Sequence, residues 1–267
     1  RRAPPGSLPE SPRLTAPVLD LLVLSPHLDD AALSCGGTLA ARARRGERIV
    51  IATLFAADEP ATPPSRLAAN LARWWGLAPG TIMRARREED LAACRALGVG
   101  AHHHALPEAP YRSDPETGAL LYPRLGQLFP RRPPVEPATA AALDAALAAL
   151  PAAREVWLPL GVGRHVDHQL LRAAAERRLP APRRYYEEYP YAAWSRLGVW
   201  RLTRPRSAWR HEIVPLAPEF AARLAAIGCY ASQLRALFGG ADQLERKLRR
   251  HVRRRGGERL WQRREER

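Results

Sequence analysis

The chain of 267 residues is 46% apolar, enough to build a full globular core and well above the level of disordered sequences. No uninterrupted apolar run approaches the roughly 20 residues that cross a bilayer, which argues for a soluble protein. The formal charge is +15, and its excess concentrates at the end: residues 245–267 hold eleven Arg/Lys against four Glu, so 241–267 reads as a basic tail apart from a domain over 18–240.

Residues 1–17 are proline-rich, lack the apolar core of a signal peptide and read as an irregular lead-in. The Leu/Val run at 18–25 predicts a strand buried on both faces, as in a parallel sheet. A helix is predicted over 30–45 with Gly46 as its stop, then a strand over 48–55, completing a β-α-β unit. Residues 57–70 read as a loop, 84–97 as a helix ended by Gly98, and 101–106 as a third strand. The Pro-, Gly- and Arg-rich stretch 107–137 predicts a long surface loop, and loops of that length are often functional.

A helix over 138–149, a buried-type strand over 155–160 and a further helix after "GVGRHVDH" follow. Beyond Arg183, "RRYYEEYPY" and "VWRLTRPRSAWRHEIVPL" read as strands of a small extension, and 217–238 as helix. The fold class expected is α/β: a Rossmann-like, mostly parallel sheet with helices on both faces and a small C-terminal extension. Three cysteines, Cys35, Cys94 and Cys229, are odd in number, widely spaced and outside CxxC pairs, which suggests neither a disulfide framework nor a cysteine zinc site. They favour a reducing, cytoplasmic location.

Two polar clusters sit just past the C-terminal ends of predicted parallel strands, where open α/β sheets bind ligands: "PHLDD" at 26–30 and "RHVDH" at 164–168. A hydrolytic zinc site needs about three His/Asp/Glu ligands, an open position for water and a base that does not bind the metal. His27 and Asp30 lie three apart across a strand-to-helix turn and can face one ion, with His168 completing the set. Asp29 is then directed toward the polarised water as general base. His165, one turn before His168, is placed to stabilise an oxyanion or protonate the leaving group, and Asp167 to orient an imidazole.

"PHLDDAALSCGGTLA" together with "GRHVDH" resembles the PIG-L/LmbE-like family of zinc-dependent N-acetylglucosaminyl deacetylases, whose motifs are written (A/P)-H-P-D-D-E and H-x-D-H. The resemblance covers about residues 18–190. It implies a Rossmann-like fold, zinc or another divalent cation on His27, Asp30 and His168, Asp29 as base, and His165 stabilising the transition state. "RREEDLAACRALGV" resembles the family's R-x-x-E helix, matching Arg86 and Glu89 and implying a role for Arg86 at the sugar. Leu28 and Ala31 depart from the usual proline and glutamate, which bears on pocket polarity and substrate choice rather than on the metal.

The implied activity is removal of an acetyl group from an N-acetylglucosamine-containing conjugate. A thiol-sugar conjugate amidase working through the same site is one rival, and a basic nucleic-acid-binding protein without catalysis is another. Metal content separates the second, since binding driven by phosphate contacts is salt-sensitive and needs no metal. Blander readings stand beside several residues. Asp29 and Asp30 are also helix caps by type. His102, His103 and His104 alternate across a strand and do not converge. Gly36 and Gly37 fit close helix-to-strand packing rather than phosphate binding. Glu108 and Asp114 are candidates for sugar hydroxyls or solvated charges. Tyr185, Tyr186, Tyr189 and Tyr191 form either a sugar-stacking wall or core. The tail is read first as a solvated helix, with an acidic partner or membrane headgroups as the alternative contact.

Overall fold

Leu21, Leu22, Val23 and Leu24 are all buried, but they serve two different cores because successive side chains leave a strand on opposite faces. Leu22 and Leu24 pack with Leu143, Leu147 and Leu171 on one side, and Leu21 and Val23 with Ala32, Leu39, Cys94 and Ala226 on the other. The computed structural model describes residues 18–264 except 61, 63, 64, 180, 181 and 217. The lead-in expected over 1–17 lies outside the described residues.

In chain order the elements are β1 (Leu19–Ser25), α1 (Asp30–Arg44), β2 (Ile49–Thr53), α2 (Arg66–Trp75), α3 (Ile82–Leu97), β3 (Gly100–His103), α4 (Pro137–Ala148), β4 (Ala153–Pro159), α5 (Val166–Arg178), β5 (Arg183–Tyr186), α6 (Tyr191–Trp194), α7 (Arg196–Leu202), β6 (Trp209–Val214), α8 (Phe220–Gly228), α9 (Ala231–Phe238), α10 (Ala241–Arg255) and β7 (Glu258–Arg263). The strands form one sheet in the order β3-β2-β1-β4-β5-β7-β6. β1 to β5 run parallel to their neighbours, while β7 pairs antiparallel with both β5 and β6.

This arrangement is the expected Rossmann-like α/β class. From β1 the chain winds outward through β2 and β3, then returns to place β4 on the other side of β1. Val23 pairs with Trp157, so β1 and β4 end level with each other, and the two loops that leave them face one crevice. That reversal of winding is the place where such sheets bind ligands.

Several elements differ from the sequence reading. Residues 57–70 are not all loop: α2 begins at Arg66 because the Ser65 hydroxyl accepts a hydrogen bond from the Ala68 N–H (3.1 Å), a side-chain N-cap. The expected strand through 199–202 is helical, since α7 is started by Ser195, whose hydroxyl accepts from the Gly198 N–H. The helix expected over 217–238 is two, α8 and α9, broken where Tyr230 turns inward to donate to Asp90 (2.7 Å).

The largest correction concerns the tail. Within the stretch read as a basic tail over 241–267, the described residues 241–264 do not form a separable appendage: β7 is an interior strand with Trp261 buried, and α10 leads directly into it. The Glu258 carboxylate on β7 accepts from the N–H groups of Gly37 (2.9 Å) and Thr38 (2.7 Å) and from the Thr38 hydroxyl. Arg223 of α8 lies 3.3 Å from it, close enough for charge attraction although its Nε is not aligned as a hydrogen-bond donor. A Cβ on Gly37 would stand 2.5 Å from Leu216 and 3.2 Å from Glu258, so the close packing expected of the glycines is required at Gly37, against the segment before α8 and β7, whereas Gly36 faces Leu97 of α3 at an ordinary 3.5 Å. α1 departs from helical geometry at Cys35, just before this contact.

Removing one member of a buried, hydrogen-bonded charge cluster leaves the others unpaired. Glu258→Ala is expected to lower unfolding free energy by about 3–5 kcal/mol, read by urea denaturation. A loss below about 1 kcal/mol, the level of an exposed pair, would show that β7 does not secure α1.

Candidate active site

The loop after β1 carries His27, Asp29 and Asp30, and the loop after β4 carries His165, with Asp167 and His168 in the first turn of α5. One carboxylate oxygen draws the two loops together. Asp30 Oδ2 accepts from the His27 backbone N–H (3.0 Å) and lies 3.1 Å from His27 Nδ1 and 3.2 Å from His168 Nε2. The second nitrogen of each imidazole meets a different buried carboxylate: His27 Nε2 is 2.9 Å from Asp167 Oδ2, and His168 Nδ1 is 3.2 Å from Glu188 Oε1. Ligand-capable nitrogens of His27, His165 and His168 all lie within 4.8 Å of one another.

Both orienting carboxylates are anchored in turn. Asp167, fully buried, accepts from the Ala109 N–H (3.1 Å) and from Arg112. Glu188, equally buried, accepts from the N–H groups of Gly161 and Val162 in the loop after β4. Arg112 also pairs with Glu136 (2.9 Å), so the stretch 107–137 is not simply a surface loop. Its buried arginine is neutralised from both sides, and residues 108–112 are buried against the site.

Charge follows from these contacts. Burial alone would lower the His27 pKa, but hydrogen bonds to Asp167 and Asp30 outweigh it and hold the ring well above the usual imidazole range. Burial likewise opposes protonation of His168, while Asp30 and Glu188 raise it to about 9. His165 goes the other way: burial and the neighbouring His27 charge push it well down, leaving a neutral ring. Its Nδ1 accepts from the Asp167 N–H (3.3 Å), capping α5, so its proton belongs on Nε2. Asp29 occupies the N-cap position of α1, but its side chain makes no cap bond; burial and the adjacent Asp30 charge raise it to about 8.

A cavity of about 300 Å³ opens over these groups, lined by His27, Asp29, Asp30 and His165 on its polar floor. Arg86 and Glu108 line it as a buried ion pair (2.6 Å), with the Arg86 guanidinium stacked over Trp75, so Glu108 is no solvated surface charge. Glu89, which resembles a family position, instead accepts from the N–H and hydroxyl of Ser232 and ties α3 to α9. Asp114 caps its own turn through Glu116 and Thr117. Of the four tyrosines, Tyr185, Tyr186 and Tyr189 are core, and Tyr191 faces the cavity with its ring 5.6 Å from that of His168. His102 and His104 do share one face of β3 and its extension (4.5 Å between rings), while His103 turns away to Asp90 (2.7 Å).

Sequence reasoning missed Glu188 and Arg112. Glu188 lies in "YYEEYPY", which carries no metal-like spacing, and Arg112 is one arginine among dozens.

Fold and crevice define an α/β protein with a buried His/Asp cluster of metal-site composition at a strand-order switch. Residues 22–179 match the family described as "PIG-L: GlcNAc-PI de-N-acetylase", and the chain belongs to this family. It is 34% identical over 176 residues to a 2'-N-acetylparomamine deacetylase of Streptomyces fradiae, covering 64% of this chain and 57% of that one, so the match spans little more than half the relative's length. A 2'-N-acetylparomamine deacetylase of Niallia circulans is 28% identical over 85% of this chain and 84% of its own. Among solved structures, teicoplanin deacetylase in its zinc-inhibited form superposes with a TM-score of 0.75 at 28% identity, covering 92% of this chain and 99% of that one.

The shifts fix the sign of a pH effect on metal-stripped protein. His168, raised to about 9, contributes stability that is complete below its unfolded value near 6.5 and is lost as pH rises through 9. Asp29, raised from 3.8 to about 8, favours the folded state when protonated, and that contribution is also lost as pH rises toward 8. Asp30 and Asp167 are pulled down by their neighbours and do not titrate in this window. Thermal unfolding in chelator should therefore give a Tm that falls between about pH 6.5 and 9, with added divalent cation offsetting the fall; a Tm rising over that range would contradict these charge assignments.

Proposed function

We propose that this chain is a metal-dependent hydrolase that removes the N-acetyl group from an amino sugar, N-acetylglucosamine or a near relative, in a glycoconjugate, releasing acetate and a free amine. The observation that carries the reading is the state of His168 Nε2. It is buried and has no aligned hydrogen-bond partner, although Asp30 Oδ2 is 3.2 Å away. The proton between each ring and Asp30 would give way to a bound cation: with Nδ1 donating to Glu188, Nε2 of neutral His168 would turn its lone pair to the cation, and His27 Nδ1 would do the same with Nε2 donating to Asp167. Two imidazoles, each backed by a carboxylate, and one further carboxylate suit a divalent cation, zinc foremost.

His27, Asp30 and His168 would hold that cation, which when bound polarises the amide carbonyl and acidifies water. His165 is less suited as a fourth ligand, because its Nε2 carries the proton. Asp29, whose side chain is free of internal hydrogen bonds and lines the cavity, would be returned to its ionised form by the charge of a bound cation and would take a proton from water as the water attacks the carbonyl carbon. The Nε2–H of neutral His165 donates to the developing oxyanion. As the C–N bond breaks, Asp29 returns its proton to the departing nitrogen, leaving acetate and amine. Arg86 tempers the rise of the Asp29 pKa by its charge and, with Glu108, supplies hydrogen-bonding groups for sugar hydroxyls.

The cavity size suits one sugar ring. Amidase action on a thiol-sugar conjugate would use the same atoms, and no feature of the cavity favours it. The nucleic-acid reading leaves the buried His/carboxylate pairs without a purpose. Among the described residues no helix is long and apolar enough to cross a membrane, and Cys35, Cys94 and Cys229 are free.

Mass spectrometry of N-acetylglucosamine conjugates incubated with the protein should detect loss of one acetyl group, abolished by chelation. Asp29→Asn should keep the metal and lower turnover at least about 100-fold; retained turnover would remove Asp29 from the role of base. Glu188→Gln should weaken metal affinity about 10- to 100-fold without loss of fold, measured by competition with a chromogenic chelator.

A further inference from the structure

A second cavity, of about 660 Å³, adjoins the first. Pro190, Trp194 and Leu237 line both, and Trp194, 67% exposed, stands between them. The second cavity is unlike the first in charge. Lys247, Arg250 and Arg254 enter it from α10 at spacings of three and four residues, which puts them on one face of the helix, and Arg196 enters from the start of α7. The adjoining face of α10 buries Leu244 and Leu248.

No carboxylate lines this cavity among the described residues. Of the other cations that line it, Arg255 is already paired with Glu187, and Lys247 donates to the Phe238 carbonyl at the end of α9 (2.6 Å). Arg196, Arg250 and Arg254 have no ion-pair partner among the described residues, whereas Arg249 on the same helix is paired with Glu245. Burial and the Arg223 charge push His251 down to about 3, so this ring, stacked near Tyr189, stays neutral and the positive charge of the wall does not vary around neutral pH. Three exposed guanidiniums without ion-pair partners line one concave surface, where like charges repel and no carboxylate supplies the bidentate acceptor that such groups fit.

We propose that this cavity is an anion subsite that receives a phosphate or carboxylate group on the aglycone of the substrate whose N-acetyl group lies in the neighbouring cavity. The inference rests on the deacetylase reading for its position along the substrate, but the anion site itself does not. It selects against an aglycone bearing further amines, which would meet like charge, and for one in which an acidic group follows the sugar, with Trp194 covering the apolar segment between them.

Isothermal calorimetry with inorganic pyrophosphate, on the full-length protein, tests the subsite without requiring turnover. Binding is expected, with affinity reduced about tenfold or more in the Arg250→Ser/Arg254→Ser double variant. Arg253→Ser removes a like charge from the exposed part of the same helix outside the cavity and should change affinity less than about twofold, the size of a screened long-range effect. Equal loss in both variants would reduce the effect to overall charge and overturn the proposal, as would absence of pyrophosphate binding.

Matched aryl N-acetylglucosaminides with and without a carboxylate on the aryl group provide the second arm. The double variant should lower the kcat/KM preference for the acidic member about tenfold, chiefly through KM. An unchanged preference would overturn the placement. Phosphatidylglycerol vesicles distinguish a lipid source of the anion from a soluble one: binding to vesicles but not to pyrophosphate points to a surface effect and overturns the cavity proposal. Should pyrophosphate bind as expected while no substrate loses acetate, the anion subsite stands and the deacetylase reading fails.

Discussion

Asp30 Oδ2 is approached by imidazoles from two loops whose residues are separated by about half the chain, and that approach depends on β1 and β4 lying side by side in register. A slip of one residue between the strands would invert which side chains face each core. Leu22 and Val156 on one face, and Val23 and Trp157 on the other, resist such a slip because each is fully or almost fully buried. The cost of holding several ionisable groups in a dry crevice is thus met by the apolar register beneath it. The carboxylates of Asp167 and Glu188 then set the orientation of each ring, so that burial and hydrogen bonding, rather than the motif alone, fix which nitrogen faces Asp30.

The strand-turn-helix logic of the first half was legible because its signals are local: an apolar run, an acidic pair, a glycine stop. His27, Asp29, Asp30, His165, Asp167 and His168 could all be placed at one crevice from two short motifs, each following a buried strand. Arg86 and Glu108 could be chosen as cavity residues, but not as partners of one another, since their pairing spans α3 and the loop beyond β3. Glu188 escaped notice because the support of a ring through its far nitrogen leaves no spacing rule in the chain.

The second half was read less well, for a related reason. An arginine-rich terminus has the composition of a solvated appendage, yet hydrophobic residues at Leu244, Leu248, Leu260 and Trp261 are enough to fold it into the sheet and a helix against it. Antiparallel insertion of the last strand between β5 and β6 is a long-range pairing that no local pattern announces. The charged face of α10 and its apolar face are both real; composition averaged them, and only the fold separates them.

The grip of Glu258 on Gly37 and Thr38 joins a segment 220 residues further along the chain to the helix that carries Asp30. During synthesis both motif-bearing loops emerge before β7, and α1 has no partner for those two amides until Glu258 has followed them. Fragments that stop before β7 would consequently lack the carboxylate that steadies α1, and with it the support beneath Asp30.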